Sequence, residues 1–337
     1  MDKTTMSCNL DLLPLGLFGG KMGLSIYFFH LAKIQGDFIY WDFAKSLIKD
    51  IYTYAPKMTN IEFSNGLSGI AWGFHYLFEN HFVSGDINDI LKEVDDVLFR
   101  TIHPAYLWGE DTQNRCEFLW ILFYYSDRLK TIENPVEKRL MQKTVMTIIN
   151  HIEDFLPKIQ WEHPLRFDLT KNDLPLYLLL LHRFYQYGFF NDKIEKIWEE
   201  LSPSVLSLTP TLHINRVHLL YGMRSVLQSA QITGWAAHAK SLEESIDHER
   251  ILRKELLDKN VTLRTGVAGY ALLMFWLYGP SFYSSMKQQL LDRIEASEIW
   301  QERFNPQASS ISSSFGLLDG YVGPSLICHT LLNMSET

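Results

Sequence analysis

The sequence predicts an all-α fold, an α/α toroid in which a ring of about seven inner helices lies inside a ring of about seven outer ones. Three observations predict it. A glycine-rich phrase recurs in steps of 50 residues or multiples of 50: Gly16-Leu17-Phe18-Gly19-Gly20-Lys21-Met22-Gly23, Gly66-Leu67-Ser68-Gly69-Ile70-Ala71-Trp72-Gly73, Gly266-Val267-Ala268-Gly269 and Gly316-Leu317-Leu318-Asp319-Gly320-Tyr321-Val322-Gly323. A fixed period of that length marks repeated supersecondary units. Long apolar runs follow positions 116, 166 and 216, where the period places the missing phrases. Between these runs lie segments with the i, i+3, i+4, i+7 stripe of a half-buried helix.

The first unit pairs the apolar run Ser25 to Ile34 with an outer segment at 41–54. In the second, Asp86 N-caps a segment whose apolar residues fall at 87, 90, 91, 94, 97 and 98. The third sets Cys116 to Tyr125 against 136–156, the fourth Leu174 to Tyr187 against 192–201, and the fifth Val217 to Met223 against 235–257. The sixth follows Gly266 and has its outer segment at 281–296; the seventh begins after Gly316. Inner helices are expected to begin near 20, 69, 116, 172, 217, 267 and 321. An open solenoid would need polar capping repeats, whereas here the first and last units carry the strongest phrases. The glycines are expected to supply positive φ and close backbone approach. The repeat spans residues 1–337 without a linker, so one domain is expected.

The 337 residues are 47% hydrophobic and 14% aromatic, ample for a large core. A net charge of −8 argues against nucleic acid or an anionic membrane surface as the main partner. Cys8, Cys116 and Cys328 are far apart, without a CxxC pair, so disulfides are not expected and the reducing cytoplasm is the default. The first residues lack the apolar core of a signal peptide. No apolar stretch reaches the roughly 18 residues of a membrane helix, so membrane insertion is not expected. The serine-rich stretch Gln307 to Ser314 reads as a solvated loop.

Phrases of the form GLxGxxG at the starts of inner helices resemble the lanthionine synthetase C-like cyclase family. The resemblance is strongest at Gly16–Gly23, Asn65–Gly73, Leu263–Gly269 and Phe315–Gly323, and weakest between about 100 and 210. It implies an α/α toroid with a central cavity, in which active members add a peptide cysteine thiol to a dehydrated Ser or Thr. It also implies a zinc ion held by two cysteines and a histidine, which makes a thiolate available near neutral pH. Leu219-Leu220-Tyr221-Gly222 matches the phrase with the first cysteine, and Leu263-Arg264-Thr265-Gly266-Val267-Ala268-Gly269 the phrase with the second cysteine and the histidine. Leu220, Arg264 and Thr265 therefore stand at the ligand positions. Leu has no donor atom, Arg brings a permanent cation, and Thr is a poor zinc ligand. Neither a metal nor any other cofactor is expected. The His-Gly phrase of the fourth unit is replaced by Arg166 to Asp173. His213 and His218 are five residues apart and have no nearby cysteine; Cys328-His329 lies within an apolar run; His30, His75 and His182 read as core histidines.

The leading expectation is a zinc-free cyclase-like protein that binds a ribosomally made peptide, or a partner enzyme that modifies one. Its cavity mouth would comprise Arg264, Thr265, Leu220, Tyr221, His218, Asp111, Asp168 and Asp319. Arg264 there requires an anionic partner, either internal (Asp319 or Asp168) or a peptide carboxylate. Two alternatives belong to other classes. A toroid hydrolase would use facing carboxylates, with Glu110, Asp111, Asp168 and Asp319 as candidates and Trp108 as an aromatic neighbour. An active thioether cyclase would hold its metal elsewhere.

Overall fold

The computed structural model describes residues 6, 10–102, 113–155, 166–256, 260–297 and 315–333. These residues are helical, with no strand among them. The helices are α1 (Lys21–Gln35), α2 (Phe38–Tyr54), α3 (Leu67–Glu79), α4 (Ile87–Thr101), α5 (Gln113–Thr131), α6 (Pro135–Phe155), α7 (Asp173–Gln186), α8 (Asn191–Ser207), α9 (His213–Leu227), α10 (Trp235–Glu244), α11 (Val267–Glu295) and α12 (Val322–Asn333). A helix is present at each of the seven positions expected for inner helices, as α1, α3, α5, α7, α9, α11 and α12, each starting within four residues of its expected position. None of the described helices is long and apolar enough to cross a membrane.

Two compact units divide the chain, one formed by residues 1–90 with 256–337 and the other by 91–255. In the first, α1 packs against α2, α3 and α12, and α12 against α11. Helix α1 is buried on nearly all sides, from Met22 through Ala32, whereas α2 buries only Tyr40, Ala44, Leu47 and Ile51, one stripe at helical spacing. In the second unit α7 packs against α5, α8 and α9, and α9 against α10. Here α7 is the enclosed helix, and α8 shows the stripe Ile194, Ile197, Trp198, Leu201 and Val205. Asp86 caps α4 as expected, accepting from the Asn88 N–H at 2.8 Å.

The expected outer segment at 281–296 follows the sixth inner run as a second helix within α11, set off from it by non-helical Gly279, where φ is 70° and ψ −168°. One expected outer segment differs in form. The 235–257 segment breaks after α10 into a single turn at His248–Arg250 and a π-helical turn at Ile251–Glu255. The break goes with contacts to a distant helix. The buried Glu255 carboxylate accepts from the N–H groups of His213 and Ile214, at 2.9 and 3.0 Å, and so caps α9 from a distance. Asp247 donates its N–H to His213 Nδ1 at 2.9 Å. A straight helix from 235 to 257 would forgo both contacts.

Candidate functional site

In the first unit the four glycine phrases lie side by side, joined through the backbone. The Phe18 N–H donates to Ser64 O at 2.9 Å, Leu317 and Leu318 both donate to Phe18 O at 2.7 and 3.3 Å, and Arg264 donates to Leu318 O at 3.1 Å. Their order in space is thus second, first, seventh, sixth. None of the phrase glycines has a positive φ; among the described residues the glycines that do are Gly36, Gly85, Gly188, Gly234 and Gly279. The expectation of positive φ in the phrases is corrected: close approach is what they need. A Cβ on Gly69 would lie 1.8 Å from Phe63 O, and on Gly23 or Gly323 2.2 Å from the carbonyl oxygen of Leu17 or Leu317. In each case the carbonyl belongs to the residue six positions earlier.

Arg264 and Asp319 meet across two of these loops. Nε donates to Oδ1 at 2.6 Å and Nη2 to Oδ2 at 2.8 Å, a fork-to-fork pair. The Arg264 side chain is 26% exposed and that of Asp319 61%, so solvent limits the pair to about 1 kcal/mol at most. The anionic partner required at Arg264 is therefore internal. Thr265 Oγ1 accepts from Asn260 Nδ2 at 2.5 Å, and Asn260 Oδ1 accepts from the Thr262 N–H at 2.9 Å. Asn60 repeats the second contact exactly four periods earlier, its Oδ1 accepting from the Glu62 N–H at 2.9 Å. Both asparagines stand six residues before the N-cap glycine of their inner helix, Gly66 or Gly266. Sequence reasoning missed them, although the 200-residue spacing that matched the glycines also relates Asn60 to Asn260.

The second unit holds Leu220, Tyr221, His218 and Asp168. Leu220 is 0% exposed, packed in the core. Gly222, in the same phrase, serves a helix crossing: a Cβ there would lie 2.8 Å from Pro175 Cα on α7. Tyr221 is half-buried, and burial raises its phenol pKa. His218 is buried; burial lowers its pKa to about 4, which keeps it neutral, and its Nδ1 has no partner among the described residues. Asp168 Oδ1 accepts from the Thr170 N–H at 2.9 Å and Thr170 Oγ1 at 2.8 Å. The Thr170 carbonyl in turn accepts from Cys116 Sγ at 2.8 Å and Trp120 Nε1 at 3.2 Å. Burial, then the charges of Asp173 and Glu117, raise the Cys116 pKa, leaving a neutral and unreactive thiol. Asp111, with Trp108 and Glu110, lies outside the described residues.

Of the predicted site residues, Arg264, Thr265 and Asp319 come together in the first unit, each held by local hydrogen bonds. Among the described residues no three His, Cys, Asp or Glu side chains converge as a metal site would require. Core histidines take the expected form at His30, whose Nε2 shares a hydrogen bond with Tyr76 Oη at 2.7 Å, and at His182, whose Nδ1 shares one with Ser229 Oγ at 2.8 Å. No protein-family model matches the chain, and a comparison with characterised proteins finds no match.

Proposed function

We propose that the chain is a zinc-free protein of lanthionine synthetase C-like architecture, an α/α toroid that binds a peptide or a peptide-modifying partner and performs no thioether chemistry through the family's metal position. The observation that carries this reading is the use made of the three matched positions. Leu220 is committed to the core, the Arg264 guanidinium to Asp319, and the Thr265 hydroxyl to Asn260. None offers a soft, anionic donor to zinc. The toroidal part of the reading draws support from the backbone bonds that set the seventh phrase beside the first, as a closed ring requires.

A peptide carrying one cysteine and one dehydroalanine tests it. Cyclisation leaves the mass unchanged but removes the alkylatable thiol, so alkylation followed by mass spectrometry reads the reaction. With or without added zinc, the thiol is expected to disappear at the uncatalysed rate, while fluorescence anisotropy reports saturable binding of the labelled peptide. Zinc-dependent acceleration defeats the zinc-free reading, and absence of binding to precursor peptides and their modifying enzymes defeats the binding role.

A further inference from the structure

One corner of the second unit is fastened by a group that can change its charge near neutral pH. The corner lies at residues 245–250, between α10 and the π-helical turn, and several ties bind it to the start of α9. Arg216 Nη1 donates to Ser245 O at 2.9 Å, the Asp247 N–H donates to His213 Nδ1 at 2.9 Å, and the Glu255 carboxylate accepts from the N–H groups of His213 and Ile214. The guanidinium keeps its charge at every pH that the fold survives. The imidazole does not. An amide N–H can only donate, so His213 Nδ1 must offer its lone pair and the ring proton must lie on Nε2. A second proton would occupy that lone pair and set two N–H groups against each other. Turning the ring cannot relieve this, because both nitrogens of an imidazolium are donors.

The surroundings of His213, a buried residue, decide when that proton arrives. Burial disfavours the imidazolium most, followed by the charge of Arg216; Glu255 and Asp247 favour it, and Arg250 opposes it. His248, on the same turn, feels the charge of His213 in return. Charged groups on the other elements packed against α9 are engaged elsewhere: Glu243 and Glu244 of α10 with Arg224 and Lys240, Arg253 of the π-helical turn with Glu249, and Arg183 and Asp173 of α7 with Asp127 and Cys116. The balance holds the His213 pKa below its ordinary 6.5. Opening restores the ordinary value and takes up a proton, so the tie is whole at neutral pH and opening gains as pH falls. The change is local. Asp247 Oδ1 accepts from the Arg250 N–H at 2.8 Å, a bond that lowers the Asp247 pKa, so the turn keeps its own cap in acid. The π-helical turn beyond it is a rare conformation of the kind found as single turns.

We propose that His213 is a proton-operated latch: neutral, it fastens the corner at Asp247 to the start of α9; protonated, it lets go, and residues 247–255 move while the rest of the unit stays folded. The latch does not depend on the zinc-free reading, and its test involves no peptide. Ring nitrogen spectra of the full chain labelled at histidine follow the proton, with His213→Gln assigning the His213 signals. Between about pH 7.5 and about pH 5 the ring is expected to pass from the Nε2–H tautomer to the doubly protonated form. Over the same range, protection of the Asp247 amide against hydrogen exchange, corrected for the intrinsic effect of pH, should fall about tenfold or more, with protection in α7 retained. His213→Gln offers an acceptor that does not titrate, and its Asp247 amide should keep one level of protection throughout; a low level at both pH values supports the latch equally, since the tie then still depends on residue 213. His248→Gln should behave as the parent does. The paired readings on the parent decide the question even where a variant does not fold. Unchanged protection of Asp247 at about pH 5, opening while the ring is still neutral, an equal fall in the His213→Gln variant, loss of the effect in His248→Gln, or simultaneous loss of protection across α7 overturns the proposal.

Discussion

A neutral imidazole buried with one ring nitrogen unsatisfied among the described residues, as at His218, couples folding to pH. In the folded chain burial lowers the His218 pKa from 6.5 to about 4, and burial followed by the charge of Lys33 does the same at His30. Between those values the unfolded chain binds more protons than the folded one. Stability is therefore complete above pH 6.5 and is lost as pH falls toward 4. The urea midpoint is expected to fall steadily from pH 7 to pH 4.5. His218→Leu, which removes the titrating group and its unsatisfied nitrogen, should flatten part of that profile and make the variant more stable than the parent at pH 5; an unchanged slope would count against this account. At this scale the sequence was partly legible. The identities of Leu220, Arg264 and Thr265 and the 55-residue spacing of Arg264 and Asp319 could be read from the repeat, and the ion pair follows that logic. The burial of Leu220 and the capping role of Glu255 could not, because both depend on which helix packs opposite.

The positions of the inner helices were legible because long apolar runs leave a helix few ways to avoid burial, and a period places even those units that have lost their glycines. What a glycine does within its element was not. None of the phrase glycines has a positive φ, and Gly16, Gly20, Gly23, Gly66, Gly69, Gly266 and Gly323 are required by close backbone contact, whereas Gly188, outside any phrase, has φ of 70° with nothing within 4 Å of a Cβ. The two kinds should respond differently to alanine. Gly69→Ala drives a methyl into the Phe63 carbonyl, where only backbone movement can relieve the clash, and should cost about 3 kcal/mol or more. Gly188→Ala meets only the left-handed backbone cost, about 1 kcal/mol. Chemical denaturation of the two variants side by side checks the order; equal losses would show that the loop yields. The break at 245–247 escaped the sequence reading because the amphipathic pattern continues through it. Its cause lies in a contact 42 residues away, from Glu255 to His213.

Across the whole chain, the unit that carries the glycine phrases is assembled from both ends, residues 1–90 and 256–337, while residues 91–255 form the other without interruption. The period placed seven helix starts but did not reveal this division, since a repeat describes neighbours along the chain rather than the strength of their contacts. Removing residues 315–333 takes away α12 and the donors to Phe18 O. Native-state hydrogen exchange should then show lost protection in α1 and α3 with α7 and α9 still protected; uniform loss would mean that the two units fold as one. The double acceptance at Phe18 O also has a consequence during synthesis. At roughly 5–20 residues per second, a ribosome needs tens of seconds to travel from the first phrase to Leu317. For that interval α1, apolar on nearly every side, emerges without the helix that will cover it. Slower translation of residues 91–255 would lengthen that exposure of apolar surface.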